Sequence, residues 1–190
     1  MGTTIQSGAL RAGVGEADIT PALGTQIAGD VDRIRPAEEI RAPLLTQALV
    51  AEAGGQKLCF VSVDALGITR EHGDRLRREI AAAIGTTPEA VAIHGKQSHS
   101  APMVGNHGVS EESGLVPPDM SWIRGGDPRY VEPFMAGVHA AVRRANDSLQ
   151  PVRIKAGRGM EGKASDRPDT TDLIEDSDGL PVSGFAAGLS

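Results

Sequence analysis

His94, Gln97, Ser98, His99 and Ser100 stand close together, directly after the apolar run Val91-Ala92-Ile93, and His107 follows. An imidazole nitrogen can ligate a metal or move a proton, and a hydroxyl beside a base can act as a nucleophile. A strand that delivers such residues to a loop at its carboxyl end is a frequent arrangement in α/β enzymes. A catalytic zinc needs three or four converging N, O or S donors, with one position open for water. His99 supplies one such donor, and the others have to come from distant sequence. On these residues alone, zinc chemistry, nucleophilic chemistry and solvent-facing histidines all remain open.

Two carboxylates belong in the same discussion. Asp64 ends the apolar run Val61-Ser62-Val63, where it can bind a metal, orient a histidine or cap the next turn. Asp18 precedes Ile19-Thr20-Pro21, and a turn-stabilising role outweighs a site role there. Known catalytic signatures are missing: no G-x-S-x-G elbow, no Walker A loop, no G-x-G-x-x-G and no H-E-x-x-H. Gly13-Val14-Gly15-Glu16-Ala17 begins like a dinucleotide loop, but Asp18 falls at the third glycine position and would oppose a pyrophosphate.

The elements that must position these residues follow from periodicity. Ala12, Val14 and Ile19 suggest a short opening strand. Thr25 to Pro43 reads as a surface loop of mixed charge. Two apolar runs, Leu44 to Ala51 and Leu58 to Val63, flank Gly54-Gly55 and predict a β-hairpin. Leu76, Ile80, Ala83 and Ile84 share one helical face, so Arg70 to Ile84 is predicted as a helix, with Thr69 at its start and Gly85 at its end. The arginines 75, 77 and 78 then form its solvated face. Val91 to Ile93 is a short buried strand, and strand, helix, strand in that order predicts a parallel pair. Lys96 to Gly126 lacks periodicity and is long enough to wall a site, with Trp122 a candidate for apolar substrate contact. A second helix is predicted from Pro133 to Leu149, with His139 on its surface, and a strand over Val152 to Ile154. These elements predict a single α/β domain over residues 1–190, a layered mixed β-sheet flanked by helices.

Composition sets outer limits. The chain of 190 residues is long enough for one domain with a real core, and only 3% of it is aromatic, so Ala, Val, Leu and Ile must fill that core. A net charge of -6 leaves no electrostatic footprint for nucleic acid. The single cysteine, Cys59, rules out a disulfide framework and reads as a buried thiol. No run is long enough to cross a membrane, and no signal-peptide pattern stands at the N-terminus, so a cytoplasmic location is the default expectation.

Several segments together resemble the N-terminal part of the neutral/alkaline, non-lysosomal ceramidase family. They are Ala12-Gly13-Val14-Gly15-Glu16-Ala17-Asp18-Ile19-Thr20-Pro21 with Gly24 and Ala28-Gly29, then Val61-Ser62-Val63-Asp64-Ala65-Leu66-Gly67, then Ser98-His99-Ser100-Ala101-Pro102, similar to the family's T-H-T-H-S-G/A-P. The resemblance implies part of a larger catalytic domain, often secreted or surface-associated. Its implied chemistry is a zinc-activated water that cleaves the amide of an N-acylsphingosine. It places His99 near the metal and substrate as a catalytic residue, and Ser100 on the substrate. The family's first zinc histidine falls on Gln97, whose carbonyl oxygen is a poor substitute for imidazole. The family's next zinc histidine falls near Gly188. The expected ligand is a small lipid or amide. Uncovered strand edges or apolar faces would favour a homo-oligomer. Two other readings stand beside the zinc amidohydrolase. One is a non-catalytic binding domain on the same scaffold, and the other a hydrolase with His94, His99 and His107 as ligands.

Overall fold

The computed structural model describes residues 10–28, 34–106, 126–154, 174–175 and 181–182. They fall into two compact units, 1–153 and 154–190. The second contains one short antiparallel pairing, described at the end of this subsection.

In the first unit, β1 (Arg11–Asp18), β2 (Leu45–Ala53) and β3 (Gln56–Val63) form an antiparallel meander. The β2–β3 turn is the predicted hairpin. Gly54 and Gly55 both take positive φ, 56° and 78°, the backbone that a tight two-residue hairpin turn requires. After β3 come the short β4 (Gly67–Ile68) and α1 (Arg70–Ile84), which ends at Gly85. Thr69 occupies the N-cap position, but its hydroxyl bonds His72 Nδ1 at 2.7 Å instead of capping the helix. A single 3-10 turn at Pro88–Ala90 leads into β5 (Val91–Gly95), which pairs parallel with β3 as expected. β6 (Met103–Val104) pairs parallel with β4.

The second long helix, α2, runs Pro128–Asp147. It starts earlier than the sequence pattern suggested, and Pro133 lies inside it. The true start is Asp127, whose carboxylate accepts from Arg129 N at 3.0 Å, followed by Pro128 in the first turn where its missing N–H costs nothing. The chain then returns to the sheet as β7 (Gln150–Pro151), two residues before the expected strand. The sheet order is β5-β3-β2-β1-β7, a mixed five-stranded sheet.

Both helices cover one face of this sheet. Ala17, Ala48, Val50, Cys59, Val61 and Val63 from the strands meet Leu76, Ile80, Phe134, Val138, Ala141 and Val142 from the helices in one buried cluster. The close contact of α2 with β1 depends on glycine. A Cβ on Gly13 would stand 2.0 Å from the Ala145 carbonyl oxygen, and one on Gly15 would stand 2.1 Å from that of Ala141. The glycines that begin like a dinucleotide loop therefore let a helix lie against a strand.

Two polar side chains expected at the surface also join the helices. His139 Nε2 lies 2.8 Å from Glu79 Oε2 and is half-buried. Arg75 bridges Glu79 on its own helix, at 2.8 Å, and Glu132 on α2, at 2.7 Å. An arginine or histidine one turn from the helix–helix seam reaches across it because a carboxylate waits on the other side. In the second unit, β8 (Ile174–Glu175) pairs antiparallel with β9 (Pro181–Val182). Gly188 lies outside the described residues.

Candidate functional site at the end of the parallel strands

The candidate residues gather where β3 and β5 end. The parallel ladder closes with Lys96 N donating to Val63 O at 3.0 Å. Gln97 then takes φ of 57°, and no other non-glycine residue among those described has positive φ. Such backbone costs on the order of 1–3 kcal/mol and persists only where its surroundings fix it. Here Ser98 N donates to Ala65 O at 3.2 Å, which holds the chain after the reversal. The turn is pinned from both sides. Leu66 N donates to Pro102 O at 3.1 Å, and Ala28 N donates to Ala101 O at 3.1 Å. The Arg35 guanidinium donates to the carbonyl of His99. Ala101 and Pro102 are buried, whereas Gln97, His99 and Ser100 face outward. The result is a rigid turn presenting an imidazole and a hydroxyl to solvent.

Asp64 supports this turn. Its Oδ2 accepts from Leu45 N at 2.8 Å and its Oδ1 pairs with Lys96 Nζ at 2.9 Å. Burial raises its pKa, but the Lys96 ammonium and the Leu45 N–H outweigh that and hold the carboxyl below its ordinary value. A carboxylate stabilised in the folded state contributes stability above its ordinary pKa and loses it as pH falls through the lowered one. Asp64→Asn should therefore flatten the loss of stability on acidification. Urea midpoints for wild type and variant should converge between about pH 5 and pH 3. An unchanged acid slope would contradict this role.

Asp18 takes the turn-stabilising role, accepting from Thr20 N at 2.7 Å, and hydrogen bonds from the Thr20 side chain and N–H lower its pKa. Thr20 Oγ1 in turn accepts from Leu44 N at 2.9 Å. Beneath them the buried Tyr130 hydroxyl donates to Ile19 O at 2.6 Å. The two carboxylates thus fix the ends of β1 and β3.

The structure brings Gln97, His99, Ser100 and Asp64 to one end of the sheet. His94 points elsewhere. It lies on the sheet face away from the helices, in register with Ser62. Trp122 and His107 lie outside the described residues. Sequence reading missed Lys96 and Arg35 as supporting residues. The signal for Lys96 was strand alternation, which places it beside Asp64 on the neighbouring strand; a guanidinium reaching from the mixed-charge loop has no such signal.

The donors for zinc can be tested directly against this geometry. Among the described residues, no three of His, Cys, Asp or Glu stand together as a cation site. Asp64 is held by Lys96 and Leu45, Asp18 by Thr20, and Gln97 offers only an amide oxygen. These residues do not fit a zinc centre, so no hydrolytic step is assigned through one.

Neither a family model nor a curated protein matches the chain by sequence. Solved structures match its fold, two ceramidases among them. One is the neutral ceramidase from Pseudomonas aeruginosa, with a TM-score of 0.61 and 21% identity over 77% of this chain. The fold is ceramidase-like. The other is a ceramidase complexed with C2, with a TM-score of 0.58 and 20% identity over 75% of this chain. The chain spans 23% and 22% of the lengths of those two proteins. The ceramidase-like architecture is thus a mixed five-stranded sheet with α1 and α2 packed on it. No described helix is long and apolar enough to cross a membrane.

Proposed function

We propose that this chain supplies the sheet and the substrate-facing turn of a ceramidase-like hydrolase acting on the amide bond of N-acylsphingosine-type lipids. The observation that carries the proposal is the pinned turn at the end of the parallel strands, in a fold similar to two ceramidases. His99 and Ser100 lie exposed on that turn, next to one another in sequence and supported from behind by Asp64, Lys96 and Arg35. In this role the imidazole and the hydroxyl bind the polar amide end of the lipid, and the rigid backbone keeps them oriented without an ordering cost. Zinc, in an enzyme that held it, would supply carbonyl polarisation and an activated water. Its full donor set is not among the described residues.

A second reading, a binding module without turnover, is favoured by Gln97 at the position where the family resemblance expects a zinc histidine. Calorimetric titration with a short-chain N-acylsphingosine tests the shared element of both readings. Wild type binds, His99→Ala weakens binding about tenfold for the loss of one hydrogen bond, and His94→Ala leaves it unchanged. Equal effects of the two substitutions would contradict the assignment. Release of fatty acid from a fluorescent N-acylsphingosine in the presence of zinc, lost with His99→Ala, separates the hydrolase from the binding module.

A further inference from the structure

The face of the sheet away from the helices carries a second pattern. Register across β1, β2, β3 and β5 aligns Val14, Leu49, Phe60 and Ala92 in one row. Val14 is 70% exposed and Phe60 51% exposed, so this apolar row is uncovered. The next row toward the site is Glu16, Gln47, Ser62 and His94, with Gln47 Nε2 donating to Glu16 Oε2 at 2.9 Å. One row further, Asp18 lies opposite Leu45, Leu45 is bonded to Asp64, and Asp64 is paired with Lys96. The middle of this face forms a depression of about 580 Å³.

The order of chemistry along these rows is not symmetric. Carboxylates stand on β1, at Glu16 and Asp18. N–H donors stand at His94 on β5 and at Lys96 just past its end. Between them, within these rows, β2 and β3 carry apolar and uncharged side chains, and Asp64, just past the end of β3, is neutralised by Lys96. We propose that this face packs against the same face of a second copy of the chain, about a two-fold axis parallel to the strands and between β2 and β3. That rotation keeps each row level and reverses its order. Leu49 then meets the second copy's Phe60, and Val14 meets its Ala92. In the same rotation Glu16 meets the second copy's His94, and Asp18 comes level with its Lys96–Asp64 pair. Stacked sheets pack about 10 Å apart, which suits interdigitated Leu and Phe side chains. An anionic lipid surface would be repelled by the carboxylates of β1, and a plain apolar helix would leave both charged rims unmatched.

Four strands at the usual spacing present on the order of 400 Å² of contact per copy, below the ~800 Å² of a standard interface. The dimer is therefore weak and concentration-dependent. Sedimentation velocity of the full 190-residue chain, raised to on the order of 100 µM, should move from monomer toward twice the monomer mass. Glu16→Lys and His94→Glu, each alone, should weaken association at least tenfold, because each leaves like or unmatched groups face to face. Both side chains are exposed, and circular dichroism should show both variants folded. An equimolar mixture of the two variants should re-form a mixed dimer, since the new lysine of one copy then faces the new glutamate of the other. A wild-type chain that stays monomeric, a dimer indifferent to both substitutions, or a mixture that fails to reassociate would overturn the proposal.

Discussion

Gly15→Val should destabilise the protein by about 3 kcal/mol or more, at the upper end of what overpacking costs. The clash falls on backbone, not on the flexible end of a side chain. A Cβ at this position would stand 2.1 Å from Ala141 O and 2.6 Å from Ala145 N. Relief requires α2 to move off β1, and α2 carries Phe134, Val138, Ala141 and Val142 into the core. For a domain of this size the expected drop in Tm is roughly 10 °C. The neighbouring Val14→Ala, on the exposed face, should change stability by no more than about 0.5 kcal/mol. Thermal unfolding followed by circular dichroism compares the two. Equal midpoints would mean that α2 does not rest on β1 at this distance.

Phe134→Ala should cost about 3–5 kcal/mol, the range for emptying a fully buried aromatic site. Phe134 has no exposed surface, and its ring lies 5.8 Å from that of Tyr130, centroid to centroid. Its loss leaves a cavity between α2 and the sheet, under the Tyr130 hydroxyl that holds the Ile19 carbonyl. The comparison is Phe60→Ala. Phe60 is as large, but it lies half exposed on the opposite sheet face, and its truncation should cost about 1 kcal/mol or less in dilute solution. Chemical denaturation of both variants therefore reports which face of the sheet is the core. A larger loss from Phe60 than from Phe134 would contradict the arrangement.

Local signals carried much of the architecture. The Gly54-Gly55 turn, the α1 face through Leu76 and Ile80, and the parallel β3–β5 pair are all set by short-range patterns that tertiary packing had no reason to override. β1 was only half legible. Its inward positions are Gly13, Gly15 and Ala17, which give no apolar signal because α2 comes too close for larger side chains. The apolar Val14, one of the residues that suggested the strand, points to the uncovered face. The start of α2 was missed because Pro133 looked like a first-turn proline, while Asp127 and Pro128 form the cap and first turn. His139 has the spacing of a surface residue and is drawn into the helix seam by Glu79.

The candidate site was legible in the types of its residues and not in its geometry. His99, Ser100 and Asp64 could be named because a strand end rich in polar residues is conspicuous. The left-handed backbone of Gln97, the Arg35 guanidinium on the His99 carbonyl and the Lys96 ammonium on Asp64 arise from contacts distant in sequence. Those contacts turn a polar loop into a fixed platform.

The most direct test of the ceramidase-like reading is an amide-resolved NMR titration of the protein with a short-chain N-acylsphingosine. The largest shifts should fall on Lys96 to Ala101, with smaller ones at Asp64 and Arg35, and His99→Ala should remove them. Shifts that avoid this turn, or a titration with no shifts at all, would contradict the account.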